Sequence, residues 1–431
     1  MNKRNFGTLG LAVVILLLAL TPVLGCAAPE PAPPAPAEVV KPDKFIIHHF
    51  GDLSGPYAAF TAPLVAGLED GLEWINTELG GIDGVPIDHM YRDTGGKLDA
   101  ALAAYLAFKE SEPYPTIVYL YGSAEAEALR ARFVEDNIFC FAFVSSPPCI
   151  YPPGNTIAIT PAYTDAMGAF IDWVTEDWAK KSGEAVKLAI LTWDSTYGKA
   201  IMVDEVRDYA ASKGVEIVYE GVFGMRDMDV STQMTAIKAA GANWVYDNTL
   251  AYGPKVISAA AEALGMLNQD LYDTTPGMIH RATNVAGMDE SVVMLAGELA
   301  EGMVGPRNIA SWAMPEVEGV AVAAAAFDRH NRKPQERVLT YLGSLSAVYT
   351  TRHCVSNAVD EVGWDELDGA VLRDQFLKLD DFSPLGGIQR FTYTADKPEP
   401  TQTLIFQVQD GKLLPITDWV ICPDLRPAQY K

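Results

Sequence analysis

After residue 44 the apolar positions of the chain alternate between two rhythms. Short β-rich runs at Phe45–Phe50, "PIDHMYRDT" (86–94), "TIVYLYGS" (116–123) and "IFCFAF" (138–143) are separated by stretches with helical spacing. In Pro63–Leu79 the residues Leu64, Leu68, Leu72, Ile75 and Leu79 share one face; 97–109 carries Leu98, Leu102, Tyr105 and Leu106, and Glu125–Asp136 reads as a third helix. Apolar residues recurring three and four apart mark an amphipathic helix, and near-continuous apolar runs mark strands covered on both faces. Their alternation predicts a parallel sheet with helices on both sides. After an irregular proline-rich stretch (145–155) the rhythm restarts: helix 164–181, strand "VKLAILTW" (186–193), helix 199–213, strand 215–222, helix 231–240, strand "NWVYDN" (243–248) and a helix from Gly253 to Leu264. The last third is helix-rich (315–331, 337–359, 366–378). It ends in "IQRFTYTADKPEPTQTLIFQVQDGKLLPI", read as two antiparallel strands, with Asp410-Gly411 as a hairpin signal. The predicted fold class is α/β, with two doubly wound parallel-sheet lobes. The late helices need a sheet to cover and the first lobe is short of them, so the chain is expected to cross between lobes more than once.

The first 25 residues do not fit that rhythm. Lys3 and Arg4 precede an apolar run, Leu9 to Leu20, and Val23-Leu24-Gly25-Cys26 places small and apolar residues ahead of a cysteine. This is the layout of an export signal. It resembles a bacterial lipoprotein box, which implies cleavage before Cys26 and lipidation there; an ordinary secretory signal or a retained anchor is the alternative. The following "AAPEPAPPAPAEVVKPD" is proline-rich, extended and unable to pack a core, as a tether should be. Beyond it no apolar run is long enough to span a bilayer.

Charge narrows the partners. Losing Lys3 and Arg4 takes the net charge from −24 to −26, which argues against nucleic acid, since phosphate neutralisation needs clustered Lys and Arg. Cys140, Cys149, Cys354 and Cys422 form an even set, which in an oxidising compartment favours disulfides; of three possible pairings, Cys140–Cys149 with Cys354–Cys422 is expected.

Catalytic signatures are missing. No phosphate loop, dinucleotide fingerprint, G-x-S-x-G elbow or H-E-x-x-H occurs, and the six histidines show no metal-ligand spacing. His48 and His49, adjacent in a strand, point to opposite faces. No metal or cofactor is expected. What remains is a set of turns at strand ends, where parallel sheets bind ligands: Leu53 to Tyr57, Tyr121 to Ala124, Ser145-Ser146, Asp194 to Gly198, and Tyr246 to Thr249. Hydroxyls, free N–H groups and aromatic faces there suit a small polar or amphipathic ligand, although Ser and Asn also serve as plain helix caps.

These turns carry a resemblance. "GDLSGPYAAFTAPLVAGLEDGLEWINTELGGIDGVPIDHMYRDT", "YLYGSAEAEAL", "DSTYGKA", "LAGELAEGMVG" and the terminal "PLGGIQRFTYTADKPEPTQTLIFQVQDGKLLPI" are, in order and spacing over about 44–420, similar to the type I periplasmic binding proteins, in particular the leucine/isoleucine/valine-binding branch serving ABC importers. The resemblance implies two lobes joined by three crossovers, with 44–160 plus about 305–392 forming the N-terminal lobe and 161–304 plus about 393–431 the C-terminal lobe. It also implies ligand contacts. Ser123 and Ala124 would bind a ligand carboxylate, Ser145 and Ser146 a second pair of contacts, and Tyr197 would close from the second lobe. Tyr246, Asp247 and Asn248 would sit at the next strand end, and Ser54 and Tyr57 at the cleft mouth. One departure stands out: Gly277 in "DTTPGMIH" falls where amino-acid binders of this branch place an acidic residue for the ammonium. The expectation is an exported, membrane-anchored solute-binding lipoprotein, monomeric and non-enzymatic, with a small-molecule ligand and an ABC permease as partners. A tethered sensor domain is the alternative, and an exported enzyme would need an acid–base pair or metal that no motif supplies.

Overall fold

The computed structural model describes residues 40–431. Cys26, the expected leader and the greater part of the expected tether lie outside the described residues. In chain order the first lobe opens with β1 (Phe45–Gly51), α1 (Ala58–Glu78), β2 (Ile87–Asp93), α2 (Leu98–Lys109), β3 (Ile117–Leu120), α3 (Ser123–Glu135), β4 (Phe139–Ala142), α4 (Pro147–Ile150) and β5 (Thr156–Ala158). The second contains α5 (Tyr163–Trp173), α6 (Ala179–Ser182), β6 (Lys187–Trp193), α7 (Thr196–Lys199), α8 (Asp204–Ser212), β7 (Glu216–Phe223), α9 (Ser231–Ala239), β8 (Trp244–Asp247), α10 (Tyr252–Ala263), β9 (His280–Thr283), α11 (Glu290–Ala296) and β10 (Val304–Arg307). Then come α12 (Glu318–Arg329), α13 (Leu339–Val362), α14 (Gly369–Leu377), β11 (Gln402–Gln409), β12 (Lys412–Pro415) and β13 (Val420–Ile421).

Both sheets follow from the apolar runs. The first is fully parallel in the order β2-β1-β3-β4-β5, and all seven residues of β1 are buried. The second runs β12-β11-β10-β9-β8-β6-β7; its strands β6 to β10 are mutually parallel, and the β11–β12 hairpin turns at Asp410-Gly411 as its sequence signal requires. The late helices return to the first sheet. Gly67 of α1 lies so close to Tyr341 of α13 that a Cβ would strike the Tyr341 backbone, and Phe376 of α14 packs on Phe139 and Phe141.

Several elements differ from the sequence reading. α1 begins at Ala58, five residues ahead of Pro63, because the Asp52 carboxylate accepts the N–H groups of Ser54, Gly55 and Tyr57 in the entering turn. The helix expected over 199–213 is α8, which begins only at Asp204, after the separate short helix α7 ends at Lys199. The tail read as two antiparallel strands opens at Ile388 with isolated bridges only, at Gln389, Phe391 and Thr394.

Three crossings are laced together into a hinge. Asn308 Nδ2 and Gln389 Nε2 both donate to the Ile159 carbonyl, at 3.0 and 3.2 Å, and the Ala310 N–H donates to Ile388 at 2.8 Å. At its second-lobe side Lys397 is buried, 2.6 Å from Asp165, with Asp424 at 3.7 Å and Glu399 at 3.9 Å. Tyr151 donates to Glu399 at 2.6 Å.

The expected disulfides are a correction: Cys140, Cys149, Cys354 and Cys422 are all buried free thiols. Cys149 Sγ lies 2.7 Å from Ser146 Oγ, and Cys140 faces Thr156. Cys354 packs in the first-lobe core, whereas Cys422 sits beside Asp165 and Lys397. An even count in an exported chain does not reveal this, because a buried thiol behaves as a small hydrophobe. Burial pushes the Cys149 thiol up to about 12.

Above neutrality, buried carboxyls set the pH response. Burial and the like charge of Asp165 push Glu399 up to about 8, with Lys397 and the Tyr151 hydroxyl acting the other way and Asp424 adding to the rise. Burial pushes Asp247 up to about 7 against hydrogen bonds from Thr249 and Thr283. A group whose folded pKa is raised contributes stability that is complete below its unfolded pKa, about 4 for a carboxyl, and is lost as pH rises through the folded value. Above about pH 7, where the histidines held low by burial (His48, His49 and His280) no longer act the other way, unfolding free energy from denaturant titrations is therefore expected to fall, up to about pH 8.5. Glu399→Gln should flatten the upper half of that profile; an unchanged slope would remove Glu399 from the account.

Candidate ligand-binding cleft

The carboxyl ends of both sheets open on one cavity of about 350 Å³. The first lobe reaches it through the turns after β1, β3 and β4, the second through the turns after β6, β8 and β9, and the hinge through Ile159, Thr160 and Ile309. The start of α13 closes one side with Leu339, Thr340 and Gly343.

Of the sequence-predicted residues the structure brings Tyr57, Ser123, Ala124 and Tyr197 together on this wall. Tyr57 meets Trp193 of the opposite lobe at 6.4 Å between ring centroids, and Tyr197 stands edge-on to Tyr163 at 5.1 Å. Tyr197 Oη donates to the Thr249 carbonyl at 3.2 Å and lies 2.9 Å from Asn284 Nδ2, so its ring is held from behind. Ser123 opens α3, and its buried hydroxyl has no hydrogen-bond partner.

The other six stand apart. Ser54 is exposed and outside the cavity wall. Ser145 donates to the Pro161 carbonyl at 2.7 Å, and Ser146 to Glu127 at 2.7 Å. Tyr246 lies in the second-lobe core, 5.1 Å from the Phe170 ring. Asp247 accepts from the Thr249 and Thr283 hydroxyls at 2.5 and 2.9 Å. Asn248 donates to the Tyr197 carbonyl at 2.6 Å, and so positions the tyrosine turn from below. Gly277 lies in a positive-φ turn ahead of β9 with only the Lys238 side chain near it, away from the cavity. The turn that does reach the cavity from β9 contributes Val285 and Ala286, both apolar.

Residues not chosen from sequence complete the wall. Ser195 and Thr196 flank Tyr197 in a turn whose hydroxyl-rich pattern was visible, and the Ser195 side chain caps α7 by accepting the Gly198 N–H at 3.0 Å. Tyr163 and Glu125 gave no signal, one lying just past a crossover and the other inside a helix start. Tyr121 is also on the wall, tied to His49 Nδ1 at 2.8 Å, and His49 Nε2 lies 2.8 Å from His89 Nδ1. Burial holds His49 well below the usual imidazole range, so it is neutral and bridges as donor to one partner and acceptor from the other. Among the described residues the only acidic or basic side chains on the wall are Asp52 and Glu125. Among the described residues no group of His, Cys, Asp and Glu is arranged to hold a metal, and no helix is long and apolar enough to cross a membrane.

Two parallel-sheet lobes on a three-segment hinge, enclosing one cavity at their strand ends, define the type I class of periplasmic binding proteins. The chain belongs to the periplasmic binding protein family, whose model matches residues 47–412. The family works outside the cytoplasm and its members bind small ligands. The fold is similar to that of a branched-chain amino acid ABC transporter protein from Thermus thermophilus with bound valine, at 18% identity and TM-score 0.78 over 90% of this chain and 99% of that one. It is also similar to a solute-binding protein from R. palustris in complex with 4-hydroxybenzoate (15% identity, TM-score 0.73, 90% and 100% covered). A fatty acid ABC transporter substrate-binding protein from Thermomonospora curvata is likewise similar (16%, 0.70, 90% and 95%). No curated protein matches the sequence.

Proposed function

We propose that the protein is the solute-binding lipoprotein of an ABC importer. It captures a small amino-acid-like, carboxylate or amide solute between its lobes and delivers it, closed, to a membrane permease. The observation that carries this reading is the single cavity walled by both lobes and by the hinge, so that a bound solute contacts every part that moves. A ligand favours the closed form by its extra contacts there. The similar structures bear valine, 4-hydroxybenzoate or a fatty acid in their names, which supports the role and leaves the solute class broad. In this reading the moving bodies are 44–160 with about 305–392, and 161–304 with about 393–431. The protein acts as a monomer, and lipid on Cys26 holds it to the membrane.

The test is a thermal-shift titration of unfolded-and-refolded protein against amino acids, carboxylates and amides. Saturable stabilisation, about 2.7 kcal/mol at a hundredfold excess over Kd, with the solute recovered unchanged, supports binding; product formation overturns it. Tyr57→Ala is expected to weaken that binding about tenfold, the scale of one aromatic contact, while shifting the unfolding of the free protein by less than about 1 kcal/mol. Calorimetric affinities equal to those of the unaltered protein would reduce the Tyr57 loop to scaffolding.

A further inference from the structure

The cavity holds one carboxylate that no cation among the described residues offsets. Glu125, in the first turn of α3, is 9% exposed and lies on the cavity wall. The charged or polar groups acting on it are its own backbone N–H and the like charge of Asp52. Asp52 is itself occupied by the three N–H groups of the β1–α1 turn. Among the described residues no Lys, Arg or His lies on the wall.

The start of α3 would ordinarily attract an anionic ligand group, because its free N–H groups and dipole favour negative charge. Here the protein fills that position itself. The Glu125 carboxylate folds back over the helix start, and a Cβ at residue 122 would collide with Oε2, so Gly122 is what makes room. The neighbouring Ser123 hydroxyl, 5% exposed, is left without a partner. The rings of Tyr57, Phe60, Tyr121, Phe143, Tyr163 and Tyr197 line the same cavity. A buried carboxylate without a countercharge is costly, and aromatic faces attract cations.

We infer that the solute carries a protonated nitrogen bearing N–H donors, which pairs with Glu125 from the first lobe, with its apolar body against the tyrosine rings. The inference rests on the binding-protein reading and narrows its ligand range. A solute whose only charged group is a carboxylate would meet Glu125 with no cation to offset either. Burial raises the Glu125 carboxyl above its ordinary range. Pairing with an ammonium opposes that rise.

The experiment compares the full-length protein with Glu125→Gln by thermal shift and calorimetry. The probes are phenethylamine, benzamidine, agmatine and isoleucine, which carry a cationic nitrogen, and benzamide, 4-hydroxybenzoate and hexanoate, which do not. The expected result is saturable binding within the first group, at least tenfold weaker in Glu125→Gln. The free variant should melt no lower than the unaltered protein, because an unpaired buried charge has been removed. Binding confined to the second group, or binding of a first-group probe that Glu125→Gln leaves unchanged, overturns the inference while leaving the binding-protein reading intact. A free variant that melts lower overturns the claim that the carboxylate is unpaired. Absence of binding in both groups counts against both readings.

Discussion

Replacing Arg307 with methionine is expected to lower the unfolding free energy by roughly 3–5 kcal/mol, the scale on which one partner of a buried ion pair is lost. Arg307 ends β10, where the chain leaves the second sheet for the hinge, and it is fully buried. Its guanidinium donates to the carbonyls of Met288, Ile309 and Ala310 at 2.7–2.9 Å and pairs with both oxygens of Glu290 at 2.9 and 3.1 Å. Methionine fills much of the volume and makes none of these bonds. Three carbonyls and a largely buried carboxylate are then left short of donors, each costing about 1–3 kcal/mol if water does not reach it. Denaturant midpoints at constant m-value measure the loss. A change below about 1 kcal/mol would mean that the hinge exit is held by packing alone.

Lys397→Met is the second large effect, and its signature is pH. Removing the ammonium leaves Asp165, Glu399 and Asp424 grouped at the hinge with no cation nearer than Arg426, whose Nη2 lies 2.9 Å from Asp424. At pH 8 the loss is expected to be roughly 3–5 kcal/mol. At pH 5 it should shrink, because carboxyls already pushed upward by burial take up protons once their countercharge is gone. Unfolding at the two pH values checks this. An equal loss at both would assign Lys397 a packing role through its methylenes.

The sequence disclosed most of the framework, because strands buried on both faces read as unbroken apolar runs. It failed at β9 and β10, whose buried character is hidden by polar or irregular residues. In β9, Arg281 is 2% exposed yet donates to the carbonyls of Asn268 and Glu301 at 3.0 and 2.6 Å, so a charged residue does the work of a core residue. In β10, Gly305 and Pro306 pair with Phe406 and Ile405 in the middle of a sheet, against their usual avoidance of that place. The cleft was legible at the level of turns and less so by residue. Tyr57, Ser123, Ala124 and Tyr197 face the cavity, whereas Ser145, Ser146, Asp247 and Asn248 spend their hydrogen bonds within the protein. A hydroxyl or amide at a strand end has the same composition whether it caps a turn or awaits a ligand, and only its partners tell the two apart. Glu125 escaped notice because an acidic residue in a first helical turn is ordinary; its burial on an aromatic wall is not.

The central claim is reversible capture of a solute between two lobes. Its most direct test is mass spectrometry of the small molecule released on unfolding natively purified protein, followed by calorimetric titration of that molecule into the refolded chain. The account predicts one molecule bound per chain, with the solute recovered chemically unchanged. Conversion of the solute, or heat that never saturates at one equivalent, would contradict it.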